Sequence, residues 1–258
     1  MKKILSAVLA AAMLCTSALM FSACGGSNSS AASDGSAQTE AKELHMATNA
    51  AFEPYEYKEG GEVVGIDADI ANAICEKLGY KLVIDDMDFD AIITAVTSGK
   101  ADFGMAGMTI TDERKQSVDF TDPYTNAVQV IIVNEDNSPV ASADDLKGKA
   151  IGVQMGTTGD IYVTDIEDAK VERFNKGADA VLALTQGKVD AVVIDNQPAK
   201  AFVAQNPGTK ILDDPFENEE YAICLKKGSE LTEKFNTALK ELKDDGTIDT
   251  IIKKYISE

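Results

Sequence analysis

The 258-residue chain contains one histidine, His45, and four cysteines, and it sets 24 basic residues against 43 acidic ones for a net charge of -19. Each shortage closes off a class of function. Affinity for nucleic-acid phosphates rests on basic patches and released counterions, which so acidic a surface opposes, so no nucleic-acid partner is expected. The lone histidine and the cysteines show no zinc-ligand spacing, and neither a metal nor another cofactor is expected. Gly-rich phosphate loops, nucleophile elbows and metalloprotease helices are missing as well, so no residue is assigned to catalysis. The acidic coat favours a soluble monomer. At 45% apolar residues the chain can bury an ordinary core, in one large domain or two modest ones.

Lys2 and Lys3 precede an apolar run from Ile4 to Phe21 that ends at Ser22-Ala23-Cys24 and passes into Gly25-Gly26-Ser27. These are the parts of an export signal; a membrane-spanning helix is the other reading of about 20 apolar residues. The stretch "FSACGG" resembles a bacterial lipobox, in which the cysteine becomes the lipid-modified first residue of the mature protein. That resemblance makes residues 1–23 the signal and Cys24 a lipid anchor to the membrane, although Phe21 stands where an aliphatic residue is usual. Cleavage near Ala23 without lipid is the alternative. Both place the folded part outside the cytoplasm, on the periplasmic or cell-surface side. Residues 24–43 are rich in Gly, Ser and Ala and read as a flexible tether reaching roughly 25 Å on average. Cys15 leaves with the signal. Cys75 and Cys224 stay in the globule, as buried free thiols or, in an oxidising compartment, as a bridge.

From Leu44 onward, short apolar runs alternate with helical segments. In "GIDADIANAICEKLG", Ile66, Ile70, Ile74 and Leu78 recur every fourth residue before Gly79, which predicts an amphipathic helix. "YKLVIDD", "DFDAIITAVTSG" and "ADFGMAG" continue as strand, helix and strand, and after a junction near Tyr124 to Val133 the alternation restarts with "KAIGVQMG", "ADAVLALTQG" and "VDAVVID". Successive β-α-β units predict an α/β fold with mainly parallel sheets and helices on both faces. "AVTSGKADFGMAG" (95–107) and "ALTQGKVDAVVID" (183–195) form a weak internal repeat that aligns Gly99-Lys100 with Gly187-Lys188. Two lobes of like build would explain it, with Gly107 and Asp195 at equivalent strand ends. Ligands of open α/β sheets bind beyond the carboxyl ends of parallel strands. Four polar clusters fall at such ends: Asn49, Gly107 to Arg114, Gln154 to Thr158, and Asp195-Asn196.

In "GMTITDER", Thr111 suits a helix N-cap, with Asp112 and Glu113 in the first turn. Arg114 is the misfit, since the helix dipole opposes a cation there. Its planar fork, with the Thr109 hydroxyl and a free N–H near Gly107 or Thr109, would hold a carboxylate from several sides. The alternative is a surface arginine paired with Asp112 or Asp119. Asp195 is either an N-cap or the partner of a ligand ammonium. One arginine and one aspartate in facing lobes would span the carboxylate and ammonium of a free amino acid. Phe52 and Phe89 either bracket an aliphatic stem or belong to the core.

These stretches, with "TNAAFEPYEY", "GVQMGTTG" and the closing "LKKGSELTEKFNTALKELKDDGTIDTIIKKYI", make the chain resemble the solute-binding proteins of bacterial polar amino acid ABC transporters, the class of the glutamine- and histidine-binding proteins. The resemblance implies a two-lobed periplasmic-binding-protein-like fold of type II. Lobe 1 would cover 44–125 and 222–258 and lobe 2 would cover 126–221, joined by hinge strands near Tyr124 to Val128 and Glu220 to Cys224. It implies that Arg114 grips the ligand carboxylate with Thr109 and the Gly107 backbone, that Thr157 and Thr158 add donors, that Asp195 takes the ammonium, and that Phe52 and Phe89 line the side-chain slot. The implied function is capture of a free polar L-amino acid by hinge closure and its delivery to ABC transporter permease subunits. Asn49 departs from the Asp common in relatives that hold cationic or glutamine side chains, and Gln154 and Ile194 also sit at variable positions. That leaves the ligand side chain open, with Glu53, Glu56 or Asp160 able to compensate. The rival readings are an enzyme on the same scaffold, similar to cyclohexadienyl dehydratase, and the sensing module of a receptor.

Overall fold

A computed structural model describes residues 41–136 and 138–256; the signal, Cys24 and all of the tether before residue 41 lie outside them. The first stretch of chain runs β1 (Glu43–Thr48), β2 (Ala51–Phe52), β3 (Glu56–Glu59), β4 (Glu62–Val64), α1 (Ile66–Lys77), β5 (Lys81–Asp86), α2 (Ile92–Ser98), β6 (Phe103–Gly104), α3 (Arg114–Ser117) and β7 (Val118–Phe120). The second runs β8 (Thr125–Asn134), β9 (Ala150–Gln154), α4 (Thr158–Thr164), β10 (Lys170–Phe174), α5 (Gly177–Thr185), β11 (Ala191–Asp195), α6 (Asn196–Gln205), β12 (Thr209–Ile211) and β13 (Glu217–Tyr221). The chain then returns through β14 (Cys224–Lys226), α7 (Leu231–Asp244) and α8 (Thr247–Tyr255).

The strands form two main sheets, ordered β5-β1-β6-β14-β7 and β10-β9-β11-β8-β12 with β13 also on β8, and a small sheet β2-β3-β4. In each main sheet a central strand pairs in parallel with two neighbours: β1 with β5 and β6, and β9 with β10 and β11. The other pairs are antiparallel, made by β14 with β6 and β7, and by β8 with β11, β12 and β13. The expectation of mainly parallel sheets therefore holds for the β-α-β core of each sheet and not for its far side. Strands β8 and β14 enter from the other sheet by short connections, without the crossover helix that a parallel neighbour requires.

The internal repeat extends to individual hydrogen bonds. Lys100 N donates to Ala95 O as Lys188 N does to Ala183 O, and Gly99 N donates to Val96 O as Gly187 N does to Leu184 O. Gly99 and Gly187 both take the left-handed backbone, at φ 77 and 66, that lets a helix end and a strand begin within two residues. The aspartates that follow match too. Asp102 accepts from His45 N at 2.8 Å and Asp190 from Ala150 N at 2.9 Å, each pinning the start of its lobe's central strand.

Adjacent strand residues pack against helices on opposite faces of the first sheet. Met46 joins Ile70 and Ile74 of α1, and Ala47 joins Ile92 and Val96 of α2. The α1 stripe Ile66, Ile70 and Ile74 is fully buried, each side chain contributing about 1.5–3 kcal/mol by removal from water. Cys75 and Cys224 are buried and free. At the start of α1, Gly65 has φ 127, and a Cβ there would lie 2.2 Å from Tyr55 O. Glycine thus lets Asp67 N reach Tyr55 O at 2.9 Å, bringing α1 against the loop that leads into Glu56.

The chain passes between the main sheets twice, from β7 to β8 and from β13 to β14, and the two crossings lie side by side. Tyr221 is paired with Thr125, Thr121 N donates to Ile223 O and Tyr124 N to Tyr221 O.

Candidate functional site

The turn after β6 supplies the first charged group. Thr111 Oγ1 accepts from Arg114 N at 3.1 Å, the capping bond its sequence position suggests. Lys115, not Arg114, pairs with Asp112, at 3.6 Å. Arg114 is instead buried, at 7% exposure. Its Nη1 donates to Thr109 O at 2.7 Å, its Nη2 to Gly156 O at 3.0 Å, and its guanidinium carbon stands 5.4 Å from the centre of the Phe89 ring. It forms no ion pair among the described residues. The surface-arginine alternative is thereby removed. Burial disfavours the guanidinium charge, and the charges of Glu219 and Asp195 oppose that effect.

At the equivalent strand end, Asp195 precedes α6 but does not cap it with its side chain. Its Oδ1 accepts from Tyr221 OH, and the residue is buried. Burial first, and the charge of Glu219 second, push its pKa up to about 7. Glu219 escaped sequence reasoning. In "ENEEY" only alternation distinguishes it from its neighbours, yet its Oε2 accepts from Thr109 Oγ1 at 2.9 Å and from Gln129 Nε2 at 3.0 Å inside the protein.

A second acidic pair lies where β3 meets α1. Glu56 is 1% exposed, and its carboxyl has no hydrogen-bond partner other than the neighbouring carboxyl of Asp67. Asp67 accepts from Gly107 N and from Tyr124 OH, both at 2.8 Å, through Oδ2, while Oδ1 has no partner outside the pair. Burial raises both pKa values, that of Asp67 to about 6 and that of Glu56 well above the ordinary carboxylate value, with Asp67 adding to the rise at Glu56.

One cavity collects these groups. Arg114, Asp195 and Glu56 line it, as do Asn49, Phe52, Phe89, Gly107, Thr109, Gln154, Thr157 and Thr158. Every residue selected from the sequence as ligand-binding thus reaches one wall, with two corrections to the expected donors. The Gly107 N–H is not free, because Asp67 takes it, and the Thr109 hydroxyl donates to Glu219. Thr157 caps α4 by accepting from Asp160 N at 3.4 Å and donates to Gln154 O at 2.8 Å, and the Thr158 hydroxyl accepts from Gln129 Nε2 at 3.4 Å. Phe52 packs on Gly107, where a Cβ would come within 2.9 Å of its ring. Of the acids considered as replacements for an aspartate at position 49, Glu53 is exposed and Asp160 pairs with Arg173 at 2.9 Å. Glu56 alone of the three lines the cavity.

Asn49 and Gln154 meet across the cleft, Gln154 Nε2 donating to Asn49 Oδ1 at 3.0 Å. The bond from Arg114 to Gly156 O and one of 3.2 Å from Asn175 Nδ2 to Asp88 Oδ2 also join the two sheets' loops. The cleft is closed.

Residues 44–258 match the model of the bacterial extracellular solute-binding proteins, family 3. The chain belongs to that family. It is 39% identical over 241 residues to the arginine-binding extracellular protein ArtP of Bacillus subtilis (strain 168), with 91% of this chain and 92% of that protein covered. It is 38% identical over 259 residues to a probable histidine-binding protein of Neisseria gonorrhoeae, covering 97% and 95%. An ancestral arginine-binding protein bound to arginine has a similar structure, with a TM-score of 0.80 at 47% identity over 83% of this chain and 98% of that one. The two-lobed fold is that of the family, and the curated relatives named here are amino-acid-binding proteins.

The buried carboxyls give the globule a defined pH response. Their folded-state pKa values are raised, to about 6 for Asp67 and about 7 for Asp195, over unfolded values of about 4. The folded form therefore binds more protons than the unfolded one within that window, and stability falls as pH rises through it. Thermal melting of the unliganded protein should show a higher midpoint at about pH 5 than at about pH 7.5, with Asp195→Asn flattening the slope; a midpoint that rises over this range would contradict these environments.

Proposed function

We propose that this solute-binding protein captures a free L-amino acid with a cationic side chain between its lobes and delivers it to the membrane permease of an ABC transporter. Three buried charges match the three charges of such a ligand. Arg114 would take its carboxylate, Asp195 its ammonium and Glu56 the positive end of its side chain. The observation that carries the side-chain assignment is the Glu56 carboxyl, which is buried at the cavity wall with no hydrogen-bond partner beyond the neighbouring acid Asp67. A buried carboxylate without a partner is costly, and a ligand cation relieves that cost. Asn49 weighs against a cationic ligand at its own position only, because Glu56 supplies an acid in the same cavity. The relatives named for arginine and histidine support the same side-chain class.

Closure follows from the division of partners. Arg114 and Glu56 come from one lobe and Asp195 from the other, so a ligand gains its full set of contacts only when the lobes are together, and binding favours that state. The paired crossings at Thr121–Thr125 and Tyr221–Cys224 are where the chain would bend. The closed form would be the one the permease engages. Cys24 would hold the protein at the outer side of the cell membrane through a lipid, with the tether leaving the globule free to turn.

Calorimetry tests the ligand assignment. Arg114→Ala should weaken L-arginine binding by about 2–5 kcal/mol. Glu56→Gln should weaken L-arginine far more than L-glutamine. Unchanged arginine affinity in either variant would remove that residue from the reading. For the anchor, Cys24→Ser should shift the protein from the membrane fraction to the soluble one, and a variant that stays on membranes would overturn lipidation.

A further inference from the structure

Two carboxyl groups side by side at one cavity wall are more than a cation site needs. Asp67 is fully buried and does not line the cavity, yet it faces Glu56. Three of their four oxygens, both of Glu56 and Oδ1 of Asp67, have no partner outside the pair. Only Asp67 Oδ2 is satisfied, doubly, by Gly107 N and Tyr124 OH. Those two donors favour Asp67 as the ionised member and leave Glu56 as the one that carries a proton.

Among the described residues no cation pairs with Glu56 or Asp67, and Arg114, which lines the same cavity as Glu56, gives its guanidinium to Thr109 O and Gly156 O. The groups acting on Glu56 from the elements around it are Asp67 of α1, Asp195 at the end of β11, and the phenols of Tyr55 and Tyr124. Each is acidic. Lys58, close in sequence, pairs with Asp86 at 2.6 Å instead. Two adjacent carboxylates without a cation cannot both ionise cheaply.

We infer that the empty site keeps one proton on the Glu56–Asp67 pair and releases it to solvent when a cationic side chain enters, whereas a neutral side chain of the same shape leaves that proton in place. The inference rests on the cationic-ligand reading above and adds how the site separates a cation from its neutral isostere. Asp67 is then a positioning residue that sets the charge of Glu56 without touching the ligand. Cation binding strengthens as pH rises, because a proton is given up, while binding of the neutral isostere does not follow through this pair. Asp195 titrates as well, but its ammonium partner is common to all amino acids and cancels in the comparison.

The experiment is titration of the intact protein with L-arginine and with L-citrulline, which differ by one charge at nearly constant shape. Each titration is run in two buffers of different ionisation enthalpy, at several values between about pH 6 and about pH 8. Arginine should release up to about one proton more than citrulline, and the ratio of their affinities should rise by up to about tenfold per pH unit. Asp67→Asn should shrink that extra proton release by allowing Glu56 to ionise in the empty site. Equal proton counts for the two ligands in the wild-type protein overturn the inference, and so does an undiminished difference in Asp67→Asn. Arginine binding that needs Glu56 but shows equal proton counts sinks the proton exchange alone; absence of arginine binding sinks the cationic-ligand reading and this inference with it.

Discussion

A buried guanidinium without a carboxylate is the constraint that the rest of the structure answers. Arg114 sits at 7% exposure with two carbonyls and an aromatic face for company, and carbonyl dipoles offset only part of the desolvation of a full charge. One of the carbonyls, Gly156 O, belongs to the other lobe. The arginine is therefore better satisfied when the lobes meet, and best when an anion joins it. The turn that carries it is shaped for this purpose: α3 is only four residues long, so the side chain leaves a strand end and not the flank of a long helix.

The acidic members of the site obey the same logic with the sign reversed. Glu56, Asp67, Asp195 and Glu219 are all buried, and Arg114 is the one buried arginine among the described residues. Such an excess can be held folded only by protons, by hydrogen-bond donors or by cations from outside. Tyr124, Tyr221, Gln129 and Thr109 are the internal donors, and the raised pKa values of Asp67 and Asp195 express what those donors leave uncovered. The proposed ligand, with two positive groups and one negative group, would complement what remains.

Much of this was legible before any coordinates. The four-residue stripe of α1, the repeated Gly-Lys turns and the polar residues at strand ends follow from periodicity and from the backbone freedom of glycine, which are local properties. Arg114 stood out because it broke a local rule. The acids behind the first layer were not legible, because burial of Glu219 and Asp67 depends on which strand crosses and which helix docks, and neither is written in the neighbouring residues. That the Gly107 N–H and the Thr109 hydroxyl already have acceptors was not legible for the same reason. A sequence shows that an N–H or a hydroxyl exists, but not that a distant carboxylate has already taken it. The antiparallel half of each sheet was likewise set by where the chain crosses between lobes and not by the alternation of strand and helix.

The central claim is that Arg114, Asp195 and Glu56 each hold one charged group of the same ligand molecule. A crystal structure of the protein with L-arginine tests it most directly. The account predicts the ligand carboxylate on Arg114, its ammonium on Asp195 and its guanidinium on Glu56, within one closed cleft. A ligand bound in the reverse direction, or one whose guanidinium avoids Glu56, would contradict it.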